Sequence, residues 1–92
     1  MYTVYILYSN QFKKIYIGYT SDLITRYKWH NQLATKGYTM RYRPWIVLYT
    51  EIFSSQSDAV DREKQLKGGK GREWIYSYVF PLYQSIGFIS PP

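Results

Sequence analysis

The chain has no cysteine and only one histidine, His30, in 92 residues. Without thiols it has no disulfide staple, no thiolate zinc site and no Cys nucleophile. A zinc-type His/Cys/Asp cluster is missing, and no residue pattern nominates a Ser-His-Asp triad. Gly68-Gly69-Lys70-Gly71 superficially resembles a phosphate loop, but it lacks the P-loop spacing and the preceding strand. Acids are scarce: 6 Asp+Glu against 12 Lys+Arg give a formal charge of +6. Long apolar runs are also lacking. The nearest, Trp74 to Pro92, carries no charge but is broken by Pro81 and Gly87. It falls short of the roughly 20 apolar residues of a membrane helix. The start, MYTVYILYSN, has no basic segment ahead of an apolar one. The expectation is a cytoplasmic protein with no secretory signal and no membrane span.

Aromatic side chains, in contrast, are plentiful. They make up 21% of the chain, and 12 of them are Tyr. Tyr joins an apolar ring to a hydroxyl that needs a partner when buried. The apolar fraction of 46% suits a packed globule, and the length suits one small domain. The basic balance favours a polyanionic partner.

The order of β-prone and helical patterns is β-β-α-β-α-α, which predicts an α+β fold with a small sheet and packed helices. Met1 to Ser9 and Ile15 to Tyr19 read as a hairpin across the polar residues Asn10 to Lys14. Thr20-Ser21-Asp22 starts a helix that runs to about Gln32, with Leu23, Tyr27 and His30 on one face. Ala34 to Arg43 reads as an irregular loop ended by Pro44, and Trp45 to Phe53 as the strongest strand. Ser54 to Asp58 cap a second helix, Ala59 to Lys67, stopped by Gly68-Gly69. A third helix is expected at Gly71 to Tyr78. The domain is therefore read as residues 1–78, followed by an uncharged tail, 79–92.

Few side chains stand out chemically. Glu63 lies on the apolar stripe of Ala59, Val60 and Leu66, where a carboxylate needs a partner. A salt bridge to Arg62, Lys67 or Arg26 satisfies it, and so does a metal. Arg26 and His30 are four apart and emerge on one helical face. A guanidinium grips phosphate oxygens at any working pH, and a neutral imidazole can take or relay a proton. Tyr5 and Tyr16 sit on the two hairpin strands, each followed by Ile. Either is a core residue or, with its pKa lowered by cations or metal, a base.

Taken in order, these residues resemble the GIY-YIG nuclease superfamily. Thr3-Val4-Tyr5 stands where that family has Gly-Ile-Tyr, and Tyr16-Ile17-Gly18 matches its second signature. Arg26 follows Tyr16 at the family's spacing, and Glu63 resembles its metal-binding Glu. The details are most similar to a small stand-alone bacterial branch, itself similar to the N-terminal endonuclease domain of the DNA-repair excinuclease. Five blocks carry the likeness: Val4 to Leu7, Tyr16 to Gly18, Leu23 to Asn31, Pro44 to Tyr49, and Arg62 to Lys67. Together they span roughly residues 2–75.

The resemblance implies a three-stranded antiparallel sheet flanked by helices and hydrolysis of DNA phosphodiesters with Mg²⁺ or Mn²⁺. By the same resemblance, Glu63 holds the metal and Tyr5 and Tyr16 flank the attacking water, one of them as general base. Arg26 stabilises the phosphorane, and His30 orients or relays a proton at the Tyr pair. Tyr19, Lys36, Tyr38, Arg41, Tyr42, Arg43 and Lys67 are the expected nucleic-acid contacts. Thr3 replaces the first signature's Gly. The stretch from Gly71 to Ile75 lacks an Asn that some family nucleases carry about a dozen residues after the Glu. The alternative is a binding module of the same fold without turnover. Nothing outside the module is long enough to be a separate specificity domain, which leaves weak or structure-selective cleavage, or targeting by a protein partner.

Overall fold

Alternation along the first strand decides what lies on either side of the sheet. In the computed structural model, which describes residues 1–85, β1 (Tyr2–Ser9) is the central strand. It pairs antiparallel with β2 (Lys14–Thr20) and with β3 (Ile46–Phe53), in the order β2-β1-β3. This is the three-stranded antiparallel sheet expected from the sequence. The turn between β1 and β2 is closed by the Lys13 N–H donating to the Ser9 carbonyl at 2.7 Å.

Successive side chains of a strand point to opposite faces, so β1 serves two cores. Val4, Ile6 and Tyr8 face one way, with Ile15, Ile17 and Leu48. There they meet Ala59, Leu66, Ile75, Val79 and Phe80 from the C-terminal helices. Tyr5 and Leu7 face the other way and pack with Trp45, flanked by Tyr16, Leu23, Tyr27, Tyr42 and Val47.

The helix on the second face is α1 (Leu23–Lys28). Asp22 caps it, accepting from the Thr25 N–H at 3.2 Å. It continues as one π-helical turn, Trp29–Leu33. The wider turn accompanies the burial of His30 while Trp29 stays partly exposed. The stretch from Ala34 to Arg43 is not wholly irregular, because it contains the short helix α2 (Tyr38–Arg41). Tertiary hydrogen bonds hold that segment. Arg43 donates to the carbonyls of His30 and Ala34, each at 2.8 Å, and the Trp45 indole donates to the Thr39 carbonyl at 2.6 Å.

On the first face, α3 (Gln56–Lys67) starts three residues earlier than expected, because Ser55 alone serves as its cap and accepts from the Asp58 N–H. Gly68 ends it, but Gly69 already begins α4 (Gly69–Trp74). The two helices pack closely at Gly71. A Cβ there would run into the Gln65 carbonyl oxygen and lie 2.5 Å from Leu66 Cα. A second π-helical turn, Ile75–Val79, leads into α5 (Phe80–Gln84). The helical course thus passes Tyr78, and Val79 and Phe80 lie in the core. Of the uncharged 79–92 stretch, residues 86–92 lie outside the described residues. Among the described residues no helix is long and apolar enough to cross a membrane.

Candidate active site

Antiparallel pairing sets Gly18 opposite Tyr5 and Tyr16 opposite Leu7. Tyr5 and Tyr16 are therefore diagonal neighbours on the second face. Their ring centroids are 6.4 Å apart. A Cβ at position 18 would sit 2.5 Å from the Tyr5 hydroxyl, so glycine leaves the room that this hydroxyl occupies. From the π-turn after α1, His30 brings its ring to 4.7 Å from Tyr16 and 5.9 Å from Tyr5. His30 Nε2 lies 2.9 Å from the Tyr5 hydroxyl. One turn back along the helix, Arg26 lies over the Trp29 ring at 4.5 Å. Its guanidinium acts on Tyr5, where it pulls the phenol's pKa down.

Glu63 approaches from α3. Its side chain is 17% exposed and pairs with Lys67 at 3.5 Å, one helical turn on. Of the three cations considered from the sequence, Lys67 is thus its partner. Arg62 is taken by Glu51, whose two carboxylate oxygens accept from Nε and Nη2 at 2.8 and 3.0 Å. Glu51 also accepts from the Tyr49 hydroxyl at 2.7 Å, and Arg62 lies over Trp74. Glu63's negative charge is felt at Tyr5. Tyr5, Tyr16 and His30 therefore form one constellation, with the charges of Arg26 from α1 and Glu63 from α3 acting on it.

Electrostatics favour a neutral Tyr5 and a neutral His30 at rest. Burial, then neighbouring Tyr16, pushes the Tyr5 phenol up to about 12, although Arg26 pulls it down. Burial, then the positive charges of Arg26 and Arg43, lowers the His30 imidazole to about 4. At neutral pH the pair is phenol and imidazole, joined by a hydrogen bond. His30 Nδ1 is buried without a partner.

The expected nucleic-acid contacts divide. Lys36 and Arg41 are exposed. Tyr38 and Tyr42 form an aromatic array with their rings 4.8 Å apart, extended by Phe12 at 5.6 Å from Tyr42. Lys14 and Arg41 lie over the Tyr42 ring. Tyr19 is different: strand alternation turns it away from Tyr16 and Gly18, onto the aliphatic core, where its hydroxyl accepts from Gln56. It does not wall the cleft at the Tyr pair. Arg43 is likewise spent internally, since its donors hold the carbonyls of Trp29, His30 and Ala34. One cation carries no signal in the sequence. Arg72 of α4 joins Lys67, Tyr38 and Tyr16 around a cleft of about 390 Å³. The lone Arg in GKGREW shows no periodicity that would single it out; only the α3–α4 packing brings it to the sheet edge.

Among the described residues no three His, Asp or Glu side chains stand together as a metal cage. One largely buried carboxylate, Glu63, borders the constellation. Such a donor set suits a hard cation that keeps waters and takes its remaining oxygens from a substrate phosphate.

A family model described as the GIY-YIG catalytic domain matches residues 1–77. A UPF0213 protein of Staphylococcus haemolyticus is 40% identical over 53 residues, covering 58% of this chain and 65% of that protein. UPF0213 proteins of Streptococcus pyogenes serotypes M5 and M3 are each 40% identical over 68 residues, 73% of this chain and 73% of each relative. The chain thus spans about two thirds to three quarters of the length of these relatives.

Proposed function

The chain belongs to the GIY-YIG family, whose catalytic domain is a nuclease domain, and on that premise we propose that it is a metal-dependent endonuclease hydrolysing DNA phosphodiesters. The observation that carries this reading is the convergence of Tyr5, Tyr16, Arg26 and His30 on one sheet face, with the Glu63 charge reaching the same hydroxyl.

In this proposal Glu63 holds Mg²⁺ or Mn²⁺, which supplies Lewis-acid polarisation of the phosphate. Arg26 offers a permanent positive charge and paired donors to the oxygens that gain charge in the transition state. Its stacking on Trp29 restricts the guanidinium beforehand. Tyr16 is half-buried and lines the open cleft, which supports it as the residue that meets the attacking water. Tyr5 is 1% exposed and bonded to His30, so its part is to orient Tyr16 and the water, with His30 keeping a neutral acceptor at Nε2. The reaction takes place in the cytoplasm, on DNA selected by structure or delivered by a protein partner.

Incubation with supercoiled plasmid and Mg²⁺ tests the proposal. Nicked circles are expected, and Glu63→Gln is expected to lower nicking by at least about 10³-fold. Nicking that persists in Glu63→Gln would remove Glu63 from the metal. Salt-sensitive DNA binding with no cleavage under any divalent ion would replace the enzyme by the binding module of the same fold.

A further inference from the structure

We propose that the cleft at the β2 edge is a second phosphate subsite, in which Arg72 and Lys67 hold the internucleotide phosphate next to the one being cleaved. The inference rests on the endonuclease reading and adds a substrate contact to it. β2 is an outer strand of the sheet, and the cleft beside it is lined by Ile15, Tyr16, Ile17, Tyr38, Lys67 and Arg72.

Three features give this cleft its specificity for a phosphodiester strand. Its charged lining is wholly cationic, with no carboxylate among its residues. Among the described residues no carboxylate lies within ion-pair distance of Arg72, whereas Arg62 is consumed by Glu51. The two cations come from the α3–α4 junction, which is closely packed: Gly71 lies against Gln65 and Leu66, and the Arg72 N–H donates to the Gly68 carbonyl at 3.0 Å. A guanidinium on a fixed backbone can present paired donors to one phosphate group.

The cleft is also continuous with the constellation. Tyr16 belongs to both, and Lys67 is the ion partner of Glu63. The shared lining residue Tyr16 is the reason the phosphate on Arg72 and Lys67 is placed in the proposal beside the one at Tyr16. The exposed Tyr38 ring, fixed by its hydroxyl donating to the Ile15 carbonyl, offers apolar surface to the intervening sugar.

The test measures DNA binding in a Glu63→Gln background without divalent ion, so that no turnover intervenes. Fluorescence anisotropy with a labelled oligonucleotide is recorded across a salt series. Arg72→Ala is expected to weaken binding about tenfold and to flatten the log K against log salt slope by about one phosphate contact. Arg72→Lys should restore the slope while regaining only part of the affinity, since it keeps the charge and loses the fork. Lys64→Ala, which removes an exposed charge of α3 outside the cleft, should match the background. Thermal melts verify that Arg72→Ala folds. If Arg72→Ala binds like Lys64→Ala while the wild type nicks plasmid, the subsite is wrong and the endonuclease reading stands. If the background protein binds no DNA at any salt and the wild type does not nick, the endonuclease reading fails and the subsite with it.

Discussion

The two faces of the sheet are held together by different forces, although the same strand supplies both. Toward α3, α4 and α5 the contacts are aliphatic and aromatic packing, with Leu66, Ile75, Val79 and Phe80 closed over Val4, Ile6 and Tyr8. Toward α1 a smaller core around Tyr5, Leu7 and Trp45 is joined by buried and half-buried hydrogen bonds. The Tyr27 hydroxyl donates to the Trp45 carbonyl at 2.6 Å, the Trp45 N–H to the Asn31 side chain at 2.8 Å, and Tyr5 is joined to His30. Packing of the first kind is non-directional and stabilises in proportion to apolar area. Hydrogen bonds of the second kind fix orientations, which a reaction geometry requires. The sheet thus keeps a stabilising face apart from an orienting one, and β1 couples them.

The contrast can be broken by substitution. Phe80→Ala should cost about 3–5 kcal/mol of unfolding free energy, read by chemical denaturation, while the folded fraction nicks DNA at the normal rate. Arg26→Ala should do the reverse: nicking falls by about 10²–10³-fold and the denaturation midpoint barely moves. Loss of nicking in both variants, or in neither, would erase the division between the faces.

A smaller effect comes from pH. The unfolded chain binds the His30 proton as pH falls through 6.5, whereas the folded chain resists until about 4. Stability should therefore fall as pH drops through that window, by at most about 1.4 kcal/mol per unit. His30→Gln should lack this component when the two proteins are compared at pH 7 and pH 5. The smallest effect is expected at Tyr8, whose buried hydroxyl has no partner and whose ring meets Phe80 edge-on at 4.8 Å. Tyr8→Phe should be neutral or stabilising by up to about 1 kcal/mol. A clear loss of stability there would show that the aliphatic face also depends on a polar bond.

Much of the molecule is legible from local pattern. The hairpin and the strand ending at Phe53 follow from alternation and the Arg26–His30 pair from helical spacing, whereas the grouping of that pair with Tyr5 and Tyr16 comes from the family resemblance. What stays hidden is set by distant partners. Helix α2 forms where Arg43 and Trp45 tie down carbonyls that propensity alone leaves unassigned. Arg43 itself resembles a DNA contact because charge in a loop does not disclose an internal acceptor. Tyr19 is suggested as a cleft residue only by its neighbour Gly18, and alternation overrules that adjacency. The spare Tyr residues of the C-terminal run also find partners: Tyr76 stacks on Phe80 and Tyr78 on Trp74.

The absent side chain at Gly18 has a genetic consequence. The two tyrosine-bearing motifs lie on adjacent strands, and the glycine closing the second motif exists to admit the hydroxyl of the first. Position 18 and position 5 are therefore sterically coupled, and the effect of a substitution at one is expected to depend on the residue at the other. A methyl group at position 18 is incompatible with Tyr5 in its present rotamer, since it would lie 2.5 Å from the hydroxyl and 2.7 Å from the ring carbon that bears it, so loss of the hydroxyl alone does not relieve the clash. Gly18→Ala is therefore expected to displace the Tyr5 ring and break its bond to His30, and to be accepted without that loss only where position 5 carries no ring at all.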